Sequence, residues 1–147
     1  RRIIFTIQTI QDLLNQKGST KEELLELRNN VLKHRDLVVR LIKKKQLLDN
    51  DVFPYYTISL CLWGIARNYY HMARDLKHID KNLLEKANSY FYNSFVRRRD
   101  NRHQEYSKVY DLCRKNKTES SKYLMPIILD IQLAESSFYL LELNDKN

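Results

Sequence analysis

The chain has 147 residues, a length that fits one domain and allows a hydrophobic core without disulfides or structural metals. It contains 2 glycines and 2 prolines, too few for the many turns of an all-β fold, so an all-α protein is predicted. The formal net charge of +8 favours an anionic partner: a nucleic acid, an anionic membrane surface or an acidic protein. The 2 cysteines are too few for a cysteine metal box.

Apolar residues recur in steps of three and four, which predicts about five helices in an antiparallel bundle with short connections. The predicted helices span about 2–16, 20–45, 55–79, 82–115, and from a start signal at 118–121 to at least 141. The apolar seam of the fourth helix fades near 97–101, where a break is expected.

Local signals set the predicted helix ends. Gly18 suits the left-handed cap that closes the first helix, and residues 49–54, which include Pro54, are predicted to connect the second helix to the third. Asp80 or Asn82 is expected to cap the fourth helix. Pro126 is expected either in the first turn of the fifth helix or at a kink.

The third predicted helix carries two stripes on opposite sides. One stripe is apolar and predicts a core face: Ile58, Leu62, Ile65, Tyr69, Met72, Leu76 and Ile79. The other is basic and aromatic: Arg67, Tyr70, Arg74 and Lys77. Arginine can bind carboxylates or phosphates through paired hydrogen bonds, so this second stripe is the candidate partner-binding or anion-binding face. The alternative is a solvated helix face of a basic protein.

Two further groups of residues are candidate binding sites. His71, Asp75 and His78 recur at helical spacing and could hold Zn²⁺ with further ligands from a neighbour or water, although surface hydrogen bonding is the simpler interpretation. Two basic clusters form a candidate nucleic-acid or anion patch: Arg97, Arg98, Arg99 and Arg102, and Lys43, Lys44 and Lys45. Aromatic residues near the arginines could stack bases, or could be core residues: Tyr90, Phe91, Tyr92 and Tyr106.

No motif of an enzyme is legible, so no catalytic residue, cofactor or metal is predicted. No apolar run approaches the ~18 residues of a membrane span, and no signal peptide is recognised, which favours a cytoplasmic protein. The tyrosine-rich third and fourth helices suggest contact with a protein partner or a second copy of the chain.

The second and third helices together resemble the PhoU family in its archaeal form. Residues 27–32 and 36–41 follow the family's first acidic and apolar helix in pattern, and residues 66–75 (ARNYYHMARD) follow its motif A-R-x-L-E-R-I-A-D-H. Residues 134–141 look like the corresponding helix of a second repeat. The resemblance implies a bundle of two related halves.

The family's metal ligands are missing where they can be compared. Carboxylates spaced E-x-x-x-D bind metal clusters in the family, and here Tyr70 stands at the Glu position and Arg74 at the Asp position. The resemblance therefore implies no metal for this chain. It implies a non-enzymatic regulator or adaptor in phosphate uptake or signalling, with a phosphate transporter subunit, a sensor kinase or an attached upstream DNA-binding domain as partner.

Overall fold

The computed structural model describes residues 1–15, 21–44, 49–97 and 102–146. The described residues form six α-helices and one π-helical turn: α1 (Arg2–Asn15), α2 (Lys21–Lys43), α3 (Asp49–Asp75), α4 (Lys81–Tyr92), the π-helical turn (Asn93–Arg97), α5 (Arg102–Asn116) and α6 (Glu119–Lys146). The all-α prediction is confirmed. The number of helices was underestimated, because the predicted fourth helix is divided into α4 and α5.

The helices form two groups of three, joined by their longest members. α1, α2 and α3 pack against one another, as do α4, α5 and α6, and α3 packs along α6. The two long helices are antiparallel, since Tyr123 near the start of α6 bonds to Asp75 at the end of α3, and Asn144 bonds to Asp51 at the opposite ends. Helix α2 runs antiparallel to α3, because Lys21 Nζ donates to the carbonyl of Arg74.

The starts of α4 and α6 follow the capping signals in the sequence. Asp80 is the N-cap of α4, where its carboxylate accepts from the backbone N–H groups of Asn82 and Leu83. Thr118 accepts from the N–H of Ser121 at the start of α6. Pro126 lies inside α6, past its first turn and at an exposed position, so of the two predicted alternatives the first-turn placement is excluded.

Helix α3 begins and ends about one turn or more before its predicted bounds. It starts at Asp49 and includes Pro54, a residue assigned to the connection by sequence. Proline lacks the N–H that would donate to the carbonyl four residues earlier. Near the start of a helix that carbonyl belongs to the first turn, so proline disturbs the helix less there than in its middle. The helix ends at Asp75, and a short connection leads to Asp80, whose backbone is extended with ψ of 102°, as an N-cap requires.

The core lies between the two groups of helices. The apolar stripe of α3 is buried at Ile58, Leu62, Ile65, Tyr69 and Met72, as predicted. The Tyr69 hydroxyl donates to Asn88 Oδ1 of α4 at 2.7 Å and accepts from Gln11 Nε2 of α1 at 3.3 Å. This buried phenol therefore ties three helices together, and burial raises its pKa.

The segment Glu119–Asn144 of α6 is, by length and composition, long and apolar enough to cross a membrane. No apolar segment of that length was predicted from the sequence. A core helix of a bundle meets the same criterion, and in this structure one side of α6 is packed against α3. Length and composition alone do not make α6 a membrane span.

Candidate anion-binding face

Arginines of α2 stack on aromatic rings of α3 along the seam between the two helices. The Arg28 guanidinium carbon lies 4.9 Å from the centre of the Trp63 ring and 5.5 Å from that of Tyr70. Arg35 lies 5.6 Å from the Trp63 ring, and Arg74 lies 5.8 Å from the Tyr70 ring. These distances fall within the range of cation–π attraction, so the rings hold the three guanidinium groups side by side. We call this group of residues (Arg28, Arg35, Trp63, Tyr70, Arg74) the cation–aromatic seam.

Two of the seam's arginines already have a carboxylate beside them. Arg35 Nη2 lies 2.8 Å from Asp36 Oδ1, and Arg74 Nε lies 2.7 Å from Asp75 Oδ1. Tyr123 of α6 also donates to Asp75, at 2.8 Å. The hydrogen bonds from Arg74 and Tyr123 lower the pKa of Asp75 to about 2, so this carboxylate is ionised at neutral pH.

Arg28 lacks such a partner. Its Nη1 donates to the side-chain oxygen of Asn29 at 3.1 Å, and its Nε is buried without a hydrogen-bond partner in the described part of the chain. A buried donor of a charged group that makes no hydrogen bond is costly. The Nε atom itself is out of reach of an external anion, but the partly exposed Arg28 side chain adds a positive charge to the seam that no carboxylate of the described residues pairs with.

Arg67 and His71 lie on α3 beside the seam. Arg67 is exposed and forms no ion pair with any residue that the structure describes. Burial and the positive charges of Arg74, Arg67 and Arg28 lower the pKa of His71, against a smaller opposing effect of Asp75. The imidazole is therefore neutral at pH 7, and the positive field around it is the field that an anionic ligand would meet.

The structure places the predicted stripe only in part as expected. Arg67, Tyr70 and Arg74 lie on α3, with Tyr70 between Arg28 and Arg74. Lys77 is exposed but follows the end of the helix, so its predicted helical register was wrong. Arg28, Arg35 and Trp63 were not predicted as site residues, although the sequence holds a signal for them: the two arginines, and likewise the rings at 63 and 70, recur seven residues apart on neighbouring helices.

The three candidate Zn²⁺ ligands, His71, Asp75 and His78, do not share a helix face, because His78 follows the end of α3. Asp75 is occupied by Arg74 and Tyr123. Within the described ranges, no group of three or more His, Cys, Asp or Glu side chains is placed to hold a metal ion.

The predicted nucleic-acid patch lies largely at the edges of the described ranges. Arg97 is exposed at the end of the π-helical turn, and Lys43 and Lys44 are exposed at the end of α2. Arg98, Arg99 and Lys45 lie outside the described residues, as does the side chain of Arg102. The neighbouring Tyr90 and Phe91 are fully buried, so they belong to the core and offer no face to a base.

Comparisons with known proteins give no match: no protein-family model, no curated protein and no solved structure is significantly similar to this chain. The resemblance to the PhoU family therefore stays a prediction from the sequence.

Proposed function

We propose that the chain is a non-enzymatic adaptor or regulator that binds an acidic protein partner at the cation–aromatic seam and the adjoining Arg67. The observation that carries this proposal is the unmatched charge of the surface. Arg28 and Arg67 form no ion pair with a carboxylate of the described residues, although Arg67 acts electrostatically on Asp130, whereas Arg35 and Arg74 each pair with a neighbouring aspartate. The surface thus holds positive charge that its own fold does not neutralise.

The geometry of the seam suits an anionic group such as a carboxylate of a protein partner. Stacking on Trp63 and Tyr70 fixes the plane of the Arg28 guanidinium, so less side-chain freedom is lost when an anion binds. A guanidinium held against rings is also partly desolvated, which strengthens a paired hydrogen bond to a carboxylate. Arginine and aromatic residues of this kind are common energetic centres of protein interfaces.

The division into two groups of three helices supports the finer proposal of a PhoU-like bundle with two related halves. Under that proposal, α3 and α6 are equivalent helices of the two halves. The role in phosphate uptake or signalling rests on the sequence resemblance, and the metal chemistry of the family is not part of the proposal because Tyr70 and Arg74 replace its carboxylates.

Capture of partners from native lysate tests this function. The tagged wild-type chain is compared with Arg67→Glu and with Lys108→Glu, an equal charge change at an exposed position of α5. We expect an acidic protein that survives nuclease treatment, is lost with Arg67→Glu and is kept with Lys108→Glu. A transporter subunit or sensor kinase would support the phosphate role. Loss of every partner on nuclease treatment would instead favour the nucleic-acid alternative, with Arg97 and the lysines of α2.

A further inference from the structure

The outward side of the α3–α6 pair carries a row of exposed apolar side chains on each helix. Seven large side chains are involved, and we call them the apolar strip: Phe53, Tyr56, Leu60, Leu129, Leu133, Leu140 and Leu143. Phe53 is 70% exposed and Leu133 is 52% exposed. Together they offer on the order of 600 Å² of apolar surface, at the upper limit of what a monomer usually leaves in contact with water.

The two rows face the same side of the molecule. On α3 the exposed row (53, 56, 60, 67, 74) is flanked on one side by Gly64, which meets Asp130 of α6, and on the other by Trp63 and Tyr70, which meet α2. On α6 the exposed row lies equally to one side of Asp130. Because α3 and α6 are antiparallel and their contact at Gly64 and Asp130 flanks both rows, the rows project outward on the same side. We call the junction of the two helices between the rows the α3–α6 groove.

The size of the groove matches a helix of a partner. From Leu129 to Leu143 the strip extends about 21 Å along α6, or about four helical turns. An amphipathic helix of that length places apolar anchors at i, i+3 or i+4, and i+7 into such a groove.

Positive charge borders one edge of the strip. The exposed row of α3 continues from Leu60 to Arg67, seven residues on, and to Arg74, seven residues further. The cation–aromatic seam lies beside this row on the side of α2. Asp130 is half-buried on the other side of Arg67. A ligand in the groove would therefore have leucines and the half-buried Asp130 carboxylate beneath it and arginines along one flank.

A second copy of the chain fits this surface poorly. In a face-to-face dimer the two-fold axis lies in the plane of the interface. An axis along the groove would set Arg67 over the partner copy's α6, near the Leu129 end of its strip, and an axis across the groove would set Arg67 over the apolar end around Phe53. Both arrangements bury a cation against apolar side chains.

We propose that the apolar strip binds an amphipathic helix of the acidic partner, with its leucine-type face in the α3–α6 groove and its carboxylates against Arg67 and the cation–aromatic seam. The proposal rests on the proposed function and adds the shape and the orientation of the partner segment. The binding energy comes from the strip, while the arginines select acidic sequences and fix the direction of approach.

A defined peptide tests this inference with the full chain. The probe is a fluorescent synthetic peptide of about 18 residues with leucines at i, i+3, i+4 and i+7 and glutamates along one flank. One control peptide has the same composition with the leucines permuted, and another has lysine in place of glutamate. Affinity is measured by fluorescence anisotropy for wild type, Leu60→Ser/Leu133→Ser, Arg67→Glu, and Leu37→Ser, a control leucine exposed on α2.

We expect the acidic amphipathic peptide to bind at least about tenfold more tightly than either control peptide. The Leu60→Ser/Leu133→Ser and Arg67→Glu variants should each lose about tenfold, and Leu37→Ser should bind as wild type does. Equal binding of the permuted peptide, or unchanged affinity of the Leu60→Ser/Leu133→Ser variant, would overturn the inference.

Two further readouts exclude other occupants. A strip-dependent dimer in sedimentation, or strip-dependent binding to phosphatidylcholine–phosphatidylglycerol vesicles, would overturn the proposal in favour of a second copy or a membrane surface. If Arg67→Glu abolishes capture of the natural partner and Leu60→Ser/Leu133→Ser does not, the inference fails and the proposed function stands. If neither variant affects capture, both fail.

Discussion

Gly64 of α3 lies directly against the carboxylate of Asp130 of α6, so close that a Cβ at position 64 would lie 2.5 Å from Asp130 Oδ2. The contact occurs near the middle of the antiparallel pair that joins the two groups of helices. Glycine in a helix interior lowers stability by about 1 kcal/mol relative to alanine. The close approach of Asp130 to the backbone of α3 at position 64 therefore comes with a lower helix propensity there.

The first prediction concerns the coupling of these two residues. In an Asp130→Ala background, Gly64→Ala should raise the free energy of unfolding by about 1 kcal/mol, because the helix gains a better residue without a clash. In the wild-type background the gain should be smaller by at least about 0.5 kcal/mol, since the carboxylate must rotate away. Urea denaturation of the four proteins measures the difference. Additive effects would show that the carboxylate does not limit the side chain at position 64.

The second prediction uses the titration of Asp130. Burial raises the pKa of this carboxyl group to about 6, from an ordinary value of 3.8, with Arg67 opposing the shift. Folding therefore favours the protonated form of Asp130. The contribution of the protonated carboxyl group to the free energy of unfolding is complete below pH 3.8 and is lost as the pH rises through about 6. Asp130→Asn should be more stable than wild type by about 1 kcal/mol at pH 8, after allowance for solvent screening.

The comparison of Asp130→Asn with wild type should be made at pH 4 and pH 8 by urea denaturation. The stability difference between the two proteins should shrink at the lower pH, where Asp130 of the folded wild type is protonated and therefore uncharged like asparagine. A difference that is equal at both pH values would contradict an elevated pKa at Asp130.

The third prediction concerns the buried phenol of Tyr69. Tyr69→Phe removes the hydroxyl and leaves Asn88 and Gln11 without their shared partner, so it should lower the free energy of unfolding by about 1–3 kcal/mol. Tyr139 is 53% exposed and provides the matched control, for which substitution by phenylalanine should change the stability by less than about 0.5 kcal/mol. Equal effects of the two substitutions would show that the hydrogen bonds of Tyr69 contribute no stability.

The fourth prediction concerns His71 and the charge of its surroundings. Because burial and three arginines lower its pKa, the folded protein resists protonation of this imidazole more than the unfolded chain does. The unfolded state then binds more protons, and His71 should reduce stability as the pH falls below about 6.5. His71→Gln should weaken the decline of stability between pH 7 and pH 5. An acid decline as steep as that of wild type would assign the loss to other groups.

Features of the fold that depend on neighbouring residues in the sequence were predictable, and the end of α3 was not. The Asp80 cap and the buried stripe from Ile58 to Met72 depend on local chemistry and periodicity, and both were predicted. The end of α3 was not, because the apolar pattern continues through Leu76 and Ile79 while the backbone leaves the helix. Residues 76 and 79 still pack against the core from the connection.

The site was less accessible to prediction than the fold. The stripe of Arg67, Tyr70 and Arg74 is visible in α3 alone, but its partners Arg28 and Arg35 come from α2 and become neighbours only through packing. The division of leucines on α6 into core and exposed rows is likewise set by which sides α3 and α5 cover. A helix that is apolar on several sides gives no such information by itself.

The most direct test of the central claim is the dissociation constant of the captured partner for purified wild type, Arg67→Glu and Lys108→Glu. We expect Arg67→Glu to weaken binding at least about tenfold and Lys108→Glu to change it less than about threefold, and we expect added salt to reduce the difference between the two. Equal affinities of the two charge-reversed variants would contradict an acidic partner bound at the cation–aromatic seam.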